Sequence, residues 1–120
     1  MNLYDELQQK TKELDISIKS LRKSGTQYAE AERTYKLELR IQSLKLRNDG
    51  MAVTLINQIV YGIQEVANAR FKRDVAETVF IANKEAINSI KLQLRLIDGQ
   101  LSREWTNAKW IKRNVYSTNR

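Results

Sequence analysis

The sequence contains no proline, no cysteine and no histidine, and only four glycines among 120 residues. Each absence excludes something. Without cysteine there is no disulfide framework, no thiol nucleophile and no zinc knuckle. Without histidine as well, the common structural zinc sites and every triad built on a histidine base are excluded. Without proline nothing interrupts a helix by removing a backbone donor, so long helices are permitted. The four glycines stand alone at 25, 50, 62 and 99, so no glycine-rich phosphate loop exists. No apolar run approaches the roughly 18 residues that a spanning helix needs, and no membrane role is expected.

What is present is ordinary for a folded chain: 42% hydrophobic and 29% charged residues. The net charge of +7 is unevenly placed. Residues 1–50 carry +2, residues 51–104 carry +1, and residues 105–120 carry +4 with no acid. The opening stretch from Met1 to Lys10 is acidic and polar, unlike a secretory signal, so a cytoplasmic protein is expected.

Hydrophobic spacing predicts two long helices. In the first, Leu3, Leu7, Leu14, Ile18 and Leu21 share one face, and Glu6–Lys10 and Asp15–Lys19 are spaced for ion pairs. Around Ser24, Gly25 and Gln27 a kink or a helix restart is possible, and one continuous helix with a weak point is the favoured reading. Asn48-Asp49-Gly50 is a clear stop. Residues 52–61 are β-branched and fit a short apolar helix at a bend, punctuated by Gly62; a strand is the weaker alternative. Two runs, 35–41 and 90–96, alternate apolar and polar residues as a strand would. Their residues are Leu, Lys, Glu, Gln and Arg, with little β-branching, so helix is expected.

The last helix is expected from about 64 to 105. There Ala76, Phe80, Asn83, Ile87, Ile90, Leu94, Ile97 and Leu101 follow one another at alternating steps of four and three. That heptad rhythm predicts coiled-coil-like packing in a core or oligomer seam. Asn83, its one polar member, either fixes register or lies at a solvated part of the seam.

Few constellations carry chemistry. Asp74 and Glu77 share a helix face, but Arg70 and Arg73 lie within one turn, so ion pairing is expected rather than metal ligation. Arg70-Phe71-Lys72-Arg73 is the densest basic cluster before the tail, and Arg33, Arg40 and Arg47 recur every seven residues. Both meet phosphate or simply face solvent. In the tail, Trp105, Lys109, Trp110, Lys112, Arg113, Tyr116 and Arg120 interleave aromatics with cations. Aromatic faces stack on unpaired bases while cations neutralise phosphates. The competing reading packs both tryptophans against the helical body. A helix-turn-helix at the bend is disfavoured, since residues 50–56 lack base-reading side chains.

The segments Leu3-Tyr4-Asp5-Glu6-Leu7-Gln8, Gly50-Met51, Thr54-Leu55-Ile56, Gly62, Val66-Ala67, Arg70 through Glu77 and Arg103-Glu104-Trp105 resemble a family. It comprises small helical proteins encoded by phages and prophages of Gram-positive bacteria, often beside replication and recombination genes. The resemblance covers roughly residues 1–105, and the family has no established activity. It carries over no functional residue and implies action in the bacterial host cytoplasm.

The expected fold is thus all-α: an elongated antiparallel helical hairpin over residues 1–105, with a short apolar helix at the bend and a flexible basic tail over 106–120. The expected function is binding, without enzymatic activity or cofactor. The first candidate partner is single-stranded nucleic acid or a nucleoprotein, held by Arg70, Lys72, Arg73 and the tail. The alternative is a protein-interaction module that binds a host or phage protein through an apolar helix face, either as an inhibitor of a host or defence protein or as a self-assembling scaffold. Homo-oligomerisation through residues 76–101 is expected in either case.

Overall fold

A computed structural model describes residues 2–118, with side chains described as far as Asn114. Its elements are α1 (Leu3–Asn48), α2 (Val53–Ile59), a 3-10 turn (Val60–Gly62) and α3 (Gln64–Thr118). Among the described residues there is no strand, so both alternating runs are helical. None of these helices is long and apolar enough to cross a membrane.

Local chemistry sets the ends of α1. Asn2 caps its start: the Asn2 side-chain oxygen accepts from the Asp5 N–H at 2.8 Å. Asp5 and Glu6 in the first turn and Lys45 and Arg47 in the last complement the helix dipole. At the far end Gly50 adopts φ +88, the left-handed conformation that glycine tolerates best. The Met51 N–H reaches the Leu46 carbonyl at 3.1 Å and the Gly50 N–H reaches the Arg47 carbonyl at 3.0 Å. This is the Schellman arrangement, in which a glycine lets the last carbonyls find donors. Between these ends the helix is uninterrupted through Ser24 and Gly25.

The end of α3 differs from the expected one. The helix does not stop near residue 105 but runs through the expected tail to Thr118. Residues 105–118 contain neither glycine nor proline and include Ala108, Lys109, Lys112 and Arg113, all good helix formers. Nothing in that composition terminates a helix.

The chain divides into two compact units, Lys19–Lys84 and Met1–Ile18 with Glu85–Arg120. In the first, the bend forms the core. Tyr35, Ile56, Val60, Val66 and Ala69 are buried together, with Leu39, Leu46, Met51 and Ile63 packed against them. Val60 and Val66 are fully enclosed, and each contributes roughly 1.5–3 kcal/mol by leaving water. Away from the bend, α1 and α3 meet through named pairs. The Tyr28 and Phe80 rings lie 5.9 Å apart, tilted by 39°. A Cβ on Gly25 would sit 3.2 Å from the Phe80 ring, so the glycine makes room for it. The Asn83 amide donates to the Ser24 hydroxyl at 2.8 Å and reaches the Ser20 carbonyl at 3.3 Å. Asn83 is therefore a bonded member of the packing and does not lie at a solvated stretch.

In the second unit, the start of α1 and the later part of α3 line a groove of about 380 Å³ through Glu6, Gln9, Lys10, Gln93, Leu96 and Ile97. Lys10 pairs with Glu13 at 3.1 Å, not with Glu6 as the spacing predicted. Ile87, only 6% exposed, is the most buried large side chain among the described residues of this unit.

Along α3 every member of the heptad from Ala76 to Leu101 is buried or half-buried. The same rhythm continues backwards through Arg73, Ala69 and Val66. On α1 the covered positions also recur at steps of four and three, from Leu3 through Lys10, Ser17, Ser24 and Ala31 to Tyr35.

Candidate nucleic-acid interface

Four consecutive residues on a helix point about 100° apart and circle the whole axis. The cluster Arg70-Phe71-Lys72-Arg73 is fully helical, so its cations are dispersed and form no single patch. Arg70, Phe71 and Lys72 are exposed. Arg73 is turned inward: its guanidinium lies 4.6 Å from the centre of the Tyr35 ring and bonds the Asp74 carboxylate at 2.8 Å and 3.0 Å. The bond to Asp74 raises the guanidinium further above its ordinary range, with the Asp74 and Glu32 charges adding to the effect. Arg73 is held in place by Tyr35 and Asp74 and is poorly placed to meet a phosphate. Its role had a signal in the sequence, because extending the heptad two steps back from Phe80 lands on it.

The end of α3 gathers its residues differently. Helical geometry sets Trp105, Lys109, Lys112 and position 116 within about 60° of one another. Arg113 lies at the margin of that face, and Trp110 lies about 140° from Trp105. Trp105 is 66% exposed and Trp110 65%, so neither packs back on the helical body. The Lys109 ammonium sits 5.4 Å from the centre of the Trp105 ring, a cation–π contact that leaves both groups accessible. Beside Trp110, Ser102, Arg103, Thr106 and Asn107 line a shallow groove of about 280 Å³. The Tyr116 side chain and all of Arg120 lie outside the described residues.

This segment thus offers two aromatic planes on different sides of one helix, with cations beside the first. Such an arrangement can stack on bases and neutralise phosphates. No three acidic side chains converge to hold a metal ion among the described residues.

Two contacts that shape the packing have no linear signal in the sequence. Tyr35 is a core residue and the seat of Arg73, and the Ser24–Gly25 pair receives Asn83 and Phe80. No family model, no curated protein and no solved structure matches the chain.

Proposed function

We propose that the chain is a non-enzymatic accessory protein that binds single-stranded nucleic acid, free or in a nucleoprotein, through the end of α3. The observation that carries this reading is the helical run past residue 105, which sets Trp105, Lys109 and Lys112 on one exposed face. Arg70 and Lys72 contribute at most separate phosphate contacts, and Arg73 holds the packing. In the same reading α1 and α3 form an antiparallel hairpin, the 76–101 seam packs as a coiled coil, and the protein self-associates. The family resemblance supports a site of action in a bacterial host cytoplasm.

Both tryptophans of the sequence lie in the proposed interface, so intrinsic fluorescence reports on it directly. An unstructured thymidine oligonucleotide should quench the full chain. Base stacking contributes about 1–3 kcal/mol, so Trp105→Ala should weaken binding about fivefold or more. If three cations are engaged, log affinity should fall with log salt at a slope of about −2. Equal binding by a chain truncated after Glu104, measured by anisotropy of a labelled oligonucleotide, overturns the reading.

A separate observation favours a second reading, a protein-interaction module that uses an apolar helix face. Leu37, Ile41 and Leu44 on α1 are about half exposed and share one face. Affinity for a protein partner that is lost on Leu37→Ser would distinguish it from the first.

A further inference from the structure

Arg33, Arg40 and Arg47 remain unused by either reading. They lie on α1 within the Lys19–Lys84 unit, are exposed, and make no ion pair among the described residues. Helical geometry puts the three within about 40° of one another, directly beside the row of Leu37, Ile41 and Leu44. The row is bounded by Glu30 towards the start of the helix and by Asn48 towards its end. Alongside Arg33 and Arg40 runs a shallow groove of about 390 Å³, lined by Ala29, Glu32, Arg33, Lys36, Leu37 and Arg40, which meets the apolar row at Leu37. Its one acid, Glu32, is paired with Lys36 at 3.7 Å. The uncompensated charge along the groove is therefore positive.

We propose that this face docks an acidic amphipathic helix of another protein. The inference rests on the second reading above and adds the chemistry of the partner. Seven residues of helix rise about 10.5 Å, so the arginines present cations at that interval. A helix lying alongside repeats its own faces at the same interval, and heptad partners are selected by charges flanking an apolar seam. The matching partner carries apolar residues every three or four positions and a glutamate or aspartate every seventh. Nucleic acid matches the charges but not the three apolar side chains beside them. A second copy does not match either: among this chain's acids only Glu6 and Glu13 are seven apart, and the next such position is Ser20.

The test uses the full chain and a dye-labelled synthetic helix of about three heptads, with Leu in the seam and Glu once per heptad at its flank. Fluorescence anisotropy should find it bound about tenfold more tightly than the same peptide with Gln for Glu. The combined variant R33Q, R40Q and R47Q should lose about tenfold in affinity, and so should Leu37→Ser. Removing equal charge elsewhere, by K12Q, K19Q and K23Q, should change it by less than about twofold. These are exposed positions, so an unchanged melting temperature verifies folding. Equal affinity for the Glu and Gln peptides, with loss on Leu37→Ser, overturns the acidic partner and leaves the apolar face standing. Binding of neither peptide, or equal loss in the control variant, overturns the proposal. So does displacement of the Glu peptide by a single-stranded oligonucleotide, or a dimer mass that Leu37→Ser abolishes.

Discussion

Asn83 and Ser24 carry the only hydrogen bond from side chain to side chain between α1 and α3 among those described in the Lys19–Lys84 unit. Ser24 is 4% exposed and its hydroxyl also donates to the Leu21 carbonyl at 3.0 Å, so it can accept from Asn83 without losing its own partner. A net hydrogen bond contributes about 1 kcal/mol, and an orphaned buried partner costs more. Asn83→Ala and Ser24→Ala should each destabilise by about 1 kcal/mol, with a double variant well short of their sum. Urea denaturation of the three variants measures the coupling, and strict additivity would contradict the contact. Tyr28 nearby has its phenol raised above the ordinary 10.0, first by burial and then by the Glu77 and Glu32 charges. Above the ordinary value the unfolded chain loses this proton while the folded chain keeps it. Stability should therefore be intact below about pH 10 and fall as pH rises through the folded value. The loss in urea midpoint between about pH 9 and pH 11 should shrink in Tyr28→Phe. The heptad on α3 pointed to Asn83, but nothing in the sequence pointed to Ser24. Its seam on α1 runs through Lys10, Ser17, Ser24 and Ala31, small or polar residues that hydrophobic periodicity does not register.

At the scale of the element, the ends of the helices separate what the sequence reveals from what it hides. Gly50 was legible because a glycine after Asn48-Asp49 is a stop with a stereochemical cause, and its φ of +88 agrees. Gly50→Ala should cost about 1 kcal/mol in a thermal or urea melt, although no atom lies within 4 Å to obstruct the new methyl. Gly25 was ambiguous for the opposite reason. It sits mid-helix, where glycine is unfavourable by about 1 kcal/mol relative to alanine, and its reason for being there is a ring from α3. Gly25→Val should destabilise, because a β-branched side chain at 3.2 Å from the Phe80 ring exceeds what the ring can yield. A melting temperature at or above that of the parent would remove Phe80 as the explanation. The end of α3 is hidden in the sequence because a basic, aromatic composition resembles a tail, whereas neither charge nor aromaticity breaks a helix. Once Trp105 to Thr118 are helical, the candidate interface gains a geometry that a list of basic residues lacks. The 70–73 cluster loses one for the same reason, since adjacency in sequence is dispersal on a helix.

For the molecule as a whole, the central question is what the 76–101 seam has left to offer a second copy. Ile87 is 6% exposed and Phe80 is packed against Tyr28 and Gly25, so at these positions the chain already covers its own seam. Ile90, Leu94, Ile97 and Leu101 keep a minor part of their surface exposed. Leu92 and Leu96, just off the seam, are more than half exposed. A seam that is both core and interface makes two separable demands. Leu94→Asp buries a carboxylate without a partner and should lower the melting temperature by several degrees or more. It should also reduce the mass of any oligomer in multi-angle light scattering. Leu96→Asp removes an exposed apolar group instead and should leave the melting temperature of a monomer unchanged, while still reducing mass if copies associate along this side of α3. A monomer whose stability survives Leu94→Asp would exclude the seam from both roles. A monomeric parent destabilised by Leu94→Asp but indifferent to Leu96→Asp would assign the heptad to the core alone. Self-association would then require a face other than this seam.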